Sequence, residues 1–397
     1  MAKKLTRRSA IKLVAAGSVA GITARPGFAS AAKSKTSNPW SKTHDRVWLG
    51  GEFWANPMEN WKIVDGAAEC LSTGPNRSVH SITHQITHPT AGFEMSVHLS
   101  QVKVKGRDAG AGFRIGIRSE LNEYRSNCFA SGGINAGIQN GKLILGPESA
   151  PLSIDADLKD IKLQLTGKAD GDKVALTLEA TSPASDARLG SISHSVPTDS
   201  LLGNVALVNN YTTATKKGSA KKTGTAASRY RFSQWTMNGD AFTTNPKQRF
   251  GPILWSMYSL SDSRTDEGFV MKISALTGPM GSKDSQVVEL HIQRDGKWKS
   301  LGEAKLDPDA WVATFRIPNW DEKTATPYKL VYREKHRDGT ETPDQWTGTI
   351  QANPVGRPLR MAALTCQNDY GFPYEPVSNN VEKMKPDIVF FSGDQIY

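Results

Sequence analysis

Three residues near the end of the chain carry side chains that can hold a metal ion together. Cys366 follows the apolar run LRMAALT at 359–365, Asp394 follows DIVFFSG at 387–393, and Tyr397 lies three residues further on. Thiolate, carboxylate and phenolate are all anionic donors. Such a set suits a highly charged, redox-capable ion such as ferric iron better than magnesium, which prefers carboxylates and water. A Gly-Asp pair after a strand is also common in α/β proteins that bind no metal, so the residue types alone leave both readings open.

For these side chains to meet, the elements carrying them must end side by side. Between the two apolar runs lies PVSNNVEKMKP, where Val377, Val381 and Met384 recur at helical spacing before Pro386 stops the helix. The second run is apolar at successive positions, as a buried parallel strand is. Strand, helix and strand over 358–397 predict a βαβ unit. In such a unit the carboxyl ends of both strands share one edge, where open α/β sheets gather their functional residues.

The stretch 360–397, with TCQN after one strand and GDQIY after FFS, resembles the start of the PhoD-like alkaline phosphatase and phosphodiesterase family of metallophosphoesterases. Other metallophosphoesterases carry Asp-x-His after the first strand; here Cys366 holds that place, as in PhoD-like enzymes. The resemblance implies a site with iron(III) and calcium, in which Cys366 and Tyr397 bind iron and Asp394 bridges the two ions. It also implies a phosphoric ester hydrolase, in which the metals act as Lewis acid on a phosphate monoester or diester and activate a hydroxide or oxide as nucleophile. The sequence departs from the family in having no counterpart of its later Asn-His and terminal histidine ligands. The expectation is therefore an incomplete catalytic domain, a fragment inactive alone.

Upstream, the period is two almost throughout. Runs such as FEMSVHLSQV, IKLQLTG, KVALTLEAT and RYRFSQWTM alternate between Trp48 and Trp235, punctuated by Gly, Asn, Asp and Pro. Region 45–240 thus predicts an all-β sandwich, and its first and last strand-like runs resemble a concanavalin A-like jelly roll. Seven further runs, from ILWSMYS to QWTGTIQA, predict a second sandwich over 247–353 of immunoglobulin or fibronectin III-like form. Asp-Gly pairs at 295–296 and 338–339 suit hairpin turns. Trp298, Trp311, Trp320 and Trp346 are assigned to core or hairpin packing rather than to a sugar platform. The predicted fold class is mainly β, two sandwiches followed by the first βαβ unit of a truncated α/β metallophosphoesterase domain.

The N-terminus, residues 1–32, reads as a twin-arginine signal peptide: Arg7-Arg8 after Thr6, a mildly apolar run from Ile11 to Ile22, then small residues around Ala29. This predicts export by the twin-arginine translocase to the periplasm or beyond. The run is shorter and more diluted by glycine than the roughly 20 apolar residues of a membrane span, and no other segment qualifies. The formal charge of +10 falls to +4 once the six basic residues of this segment, unaccompanied by any acid, are set aside. The remaining cluster of Lys216, Lys217, Lys221 and Lys222 has no aromatic platform, so the sequence carries no nucleic-acid-binding signature.

Cys70 and Cys128 are a candidate disulfide pair in an exported chain. His80, His84 and His88 recur every fourth residue, but SVHSITHQITH alternates as a strand, on which four residues span about 13 Å, too far for ligands of one ion. The glycines of GRDAGAGFRIGIRS match no phosphate-binding spacing. The competing reading is a secreted β-sandwich protein that holds a glycan or a cell-surface partner through the jelly roll, with the C-terminal unit inert.

Overall fold

The computed structural model describes residues 38–106, 108–130, 132–153, 159–211, 227–366 and 374–394. The signal-peptide region, the lysine cluster at 216–222 and Tyr397 lie outside the described residues. The described chain is mainly β, in several antiparallel sheets.

Its strands are, in order, β1 (Phe53–Asn56), β2 (Trp61–Val64), β3 (Ala67–Cys70), β4 (Arg77–Ile86), β5 (Phe93–Lys105), β6 (Ala111–Ile117), β7 (Ile134–Gln139), β8 (Lys142–Leu145), β9 (Glu148–Pro151), β10 (Asp160–Asp170), β11 (Lys173–Thr181), β12 (Arg188–Pro197), β13 (Gly203–Asn209), β14 (Ala227–Asn238) and β15 (Phe242–Thr244). They form two sheets. One runs β1-β4-β13-β6-β7-β8-β9, with β15 also on β4; the other runs β12-β11-β10-β5-β14-β3-β2. Alternation explains how they close on each other. Phe93, Met95, Val97 and Leu99 of β5 and Ile161, Leu163 and Leu165 of β10 point inward, joining Val79, Phe113, Ile138 and Leu207 of the other sheet in one core. Each such side chain contributes about 1.5–3 kcal/mol on leaving water.

A second sandwich follows, built from β16 (Ile253–Asp262), β17 (Phe269–Thr277), β18 (Val287–Arg294), β19 (Lys297–Lys305), β20 (Val312–Ile317), β21 (Thr326–Lys335) and β22 (Glu341–Ile350). Its sheets run β16-β17-β20 and β19-β18-β21-β22. Ile273, Leu290, Phe315, Leu330 and Tyr332 fill its core, and so does Trp48, which precedes every strand of the first sandwich. Gly278 makes room for that indole: a Cβ there would lie 2.6 Å from its ring. Trp320 is buried in this core and Trp346 packs against it, whereas Trp298 is 43% exposed under the Lys329 ammonium.

The segment before β1 ties the two sandwiches together. The Arg46 backbone pairs with Ile63 of β2. Its guanidinium donates to the Trp48 carbonyl at 2.9 Å, lies 4.7 Å from the Trp48 ring, and reaches Asp284 at 3.3 Å and Glu334 at 2.7 Å. Next to it, Arg337 donates to the Thr43 carbonyl and pairs with Asp45.

Last come β23 (Met361–Thr365), α1 (Glu375–Met384) and β24 (Ile388–Ser392), with β23 and β24 paired in parallel, Thr365 beside Ser392. The sequence reads β24 as a buried strand, but Ile388, Val389, Phe390 and Phe391 are 42–59% exposed. Two strands and one helix of ten residues cannot cover both faces of a sheet. Among the described residues no helix is long and apolar enough to cross a membrane.

Candidate functional site

The parallel pairing places the ends of β23 and β24 at one edge. Cys366 and Gly393 follow directly, and both turn into the left-handed region, at φ 48° and 65°. The Cys366 N–H donates to the Ser392 carbonyl at 3.3 Å and so links the two strand ends. The thiol then lies over Gly393: a Cβ on that residue would sit 2.5 Å from the Cys366 Sγ. Glycine is needed there twice over, for its positive φ and for the space that the sulfur takes. Asp394 is the next residue, and both it and Cys366 are exposed.

The opposite edge of the unit is held by charge. Arg357 grips both carboxylate oxygens of Asp387, at 2.7 and 2.8 Å, and the Arg360 N–H donates to the same carboxylate at 2.9 Å. The Arg357 hydrogen bonds, with that from Arg360, hold the Asp387 carboxyl well below the usual carboxylate range. This ties the entry of β23 to the entry of β24 and sets the register that brings their exits together.

Of the three donors expected from the sequence, the fold therefore brings Cys366 and Asp394 to one edge. Tyr397 lies outside the described residues. Among the described residues no three histidine, cysteine, aspartate or glutamate side chains form a cluster able to hold a metal. The two residues at that edge offer a thiolate former, a donor type suited to iron, and a carboxylate, a donor type suited to calcium.

The other candidate chemistry of the sequence resolves into structure. His80 lies on β4, fully buried, with Nδ1 2.7 Å from the Asn204 Oδ1 and Nε2 3.0 Å from the Ser78 hydroxyl. Burial lowers its pKa to about 4, so the ring is neutral. His84 is on the same strand beside Thr83, with its pKa also lowered by burial, and His88 precedes a short 3-10 turn at Pro89–Ala91. Cys70 and Cys128 are not joined: both are free, buried thiols, Cys70 bonding to the Ser72 carbonyl and Cys128 to that of Tyr124. Desolvation raises both thiol pKa values, that of Cys70 to about 11.

No family model matches the chain, and no curated protein matches it. Among solved structures it is similar to lectin II from Ulex europaeus, at 13% identity and a TM-score of 0.35, over 52% of this chain and 99% of that one. It is also similar to lectin UEA-II complexed with galactose, at 12% identity and a TM-score of 0.34, with the same coverage. Likeness at this level carries no argument about fold or ligand.

Proposed function

We propose that the C-terminal unit is the opening βαβ element of a metal-dependent phosphoric ester hydrolase of PhoD-like kind, exported with a jelly-roll sandwich and a fibronectin III-like sandwich ahead of it. The observation that supports this reading is the convergence of Cys366 and Asp394 at the carboxyl edge of a parallel strand pair, with the thiol seated against Gly393. Cys366, Asp394 and Tyr397 would hold the iron(III) and calcium. A metal pair so held supplies Lewis acidity toward a phosphoryl group. The chain's own part is positional: the Arg357–Asp387 fork ties the entries of the two strands together, and the left-handed turns at Cys366 and Gly393 end both strands at one edge.

Metal binding is read directly by absorbance. Ferric iron added to the protein is expected to produce a visible ligand-to-metal charge-transfer band that Cys366→Ser and Tyr397→Phe each diminish; a spectrum indifferent to both substitutions sinks the assignment. The three donors that the resemblance assigns are fewer than the roughly six ligands that hard cations gather. These 397 residues alone are thus expected to hydrolyse p-nitrophenyl phosphate no faster than a metal-free blank, and clear activity abolished by Cys366→Ala would overturn that expectation.

A further inference from the structure

Beyond the strand-edge site, a cavity of about 410 Å³ opens where the first sandwich hands over to the second. Its size falls within the roughly 300–1,000 Å³ typical of small-molecule sites, which favour such junctions. One wall is the connecting segment 249–254, the other residues 342–346 of β22. On a strand, alternate residues share a face about 6.7 Å apart, so Thr342, Asp344 and Trp346 stand in line as hydroxyl, carboxylate and indole. All three line the cavity, and Phe250 and Pro252 supply apolar surface opposite. The ladder adds Glu334, directly across from Thr342.

The carboxylates show what kind of guest this wall accepts. Glu334 is already bound to the buried Arg46 at 2.7 Å. Asp344 takes the Ile253 N–H on Oδ2 at 3.1 Å and has no ion pair among the described residues, while burial pushes its carboxyl above the usual carboxylate range. Arg249, on the opposite wall, lies 3.8 Å from Glu52. Of the charges at the wall, Glu334 is paired with Arg46 and Arg249 faces Glu52, which leaves Asp344 as the lining carboxylate without an ion pair among the described residues. A phosphate or sulfate would meet two carboxylates, and a strong cation would meet Arg249 with Arg46 behind Glu334. What remains favourable is a neutral guest with many hydroxyls and an apolar face: hydroxyls donating to Asp344 and accepting from Arg249, the face resting on indole and phenyl rings.

We infer that this junction cavity is a binding site for a neutral saccharide, with Asp344 as the polar anchor and, as the apolar wall, Phe250 and the part of Trp346 that its packing against the core leaves open. A smaller adjoining cavity of about 220 Å³ shares Arg249 and Glu334 and continues toward Lys42 and His336, giving room for a second sugar unit. This site uses none of the residues at the strand edge, so its fate is independent of the hydrolase reading.

The test is an array of neutral, sialylated and sulfated glycans probed with the whole chain, followed by calorimetric titration of the retained members against wild type, Asp344→Asn and Thr342→Val. Thermal midpoints establish that both variants are folded. The inference expects neutral glycans to be retained and affinity to fall about tenfold or more in Asp344→Asn, the loss of one charge-assisted hydrogen bond. Retention of no neutral glycan overturns it. So does a preference for the charged members, or binding that neither substitution weakens, since that places any glycan site elsewhere on the molecule.

Discussion

At the residue scale, burial decides what the titratable groups do. The sequence places His80 on a strand rather than in a metal-binding repeat, and the fold gives each of its ring nitrogens a neutral partner and removes it from water. Its folded pKa of about 4 lies below the ordinary histidine value of 6.5. Between those two values the unfolded chain binds the extra proton, so the contribution to stability is present above 6.5 and is lost as pH falls toward 4. By pH 5 the loss from this one group is on the order of 2 kcal/mol. Urea midpoints at pH 7 and pH 5 for wild type and His80→Gln test this: the variant is expected to show the shallower pH dependence, and parallel curves would refute the neutral-histidine account. Cys70 and Cys128 teach a similar lesson, for two cysteines in one strand-rich region suggested a bridge that the fold does not make.

At the element scale, register is where period-two reading runs out. Through Phe232 the inward residues of β14 are the even ones, Tyr230 and Phe232; after it the buried residue is Trp235. A bulge absorbs the change: Ser233 pairs with His98 and Thr236 with Ser96, leaving one extra residue on β14, and Gln234 is exposed at φ 50°. Such a bulge flips every later side chain to the other face. Deleting Gln234 removes the extra residue and leaves Trp235 on the inward face by strict alternation after Phe232, so the protein is expected to fold, whereas Trp235→Ala, which empties that core position, is expected to cost about 3–5 kcal/mol. Gln234→Gly keeps the bulge and relieves its positive φ, so its denaturation midpoint should equal or exceed that of wild type. A deletion that abolishes folding, or a Trp235→Ala protein as stable as wild type, would refute this account of the register. The strand character of β14 was legible in RYRFSQWTM; the position of its extra residue was not, because it depends on what β5 presents across the ladder.

At the scale of the whole molecule, the joint between the sandwiches rests on a residue that no motif singles out. The Arg46 side chain is 1% exposed and links the backbone at Trp48 to Asp284 and Glu334, which come from distant parts of the sequence. Removing one member of a buried ionic cluster leaves the others desolvated and unpaired, at a cost of about 3–5 kcal/mol. Arg46→Ala is expected to lower stability by that order in chemical denaturation and to separate the unfolding of the two sandwiches, whereas loss of the exposed Arg316–Glu267 pair should move the midpoint little. An Arg46→Ala protein that unfolds at the wild-type midpoint would remove Arg46 from that role. The sequence by itself determined the β character of residues 53–350 and the strand-helix-strand order at the end, because alternation, helical spacing and turn residues are local properties of the chain. It also marked Cys366 and Asp394, because each directly follows an apolar run. Only the tertiary structure decided that Trp48 belongs to the second core, that two cysteines stay apart, and that Asp344 and Trp346 border a cavity. Each of these depends on contacts between residues far apart in sequence, whose distances are set by packing and not by spacing along the chain.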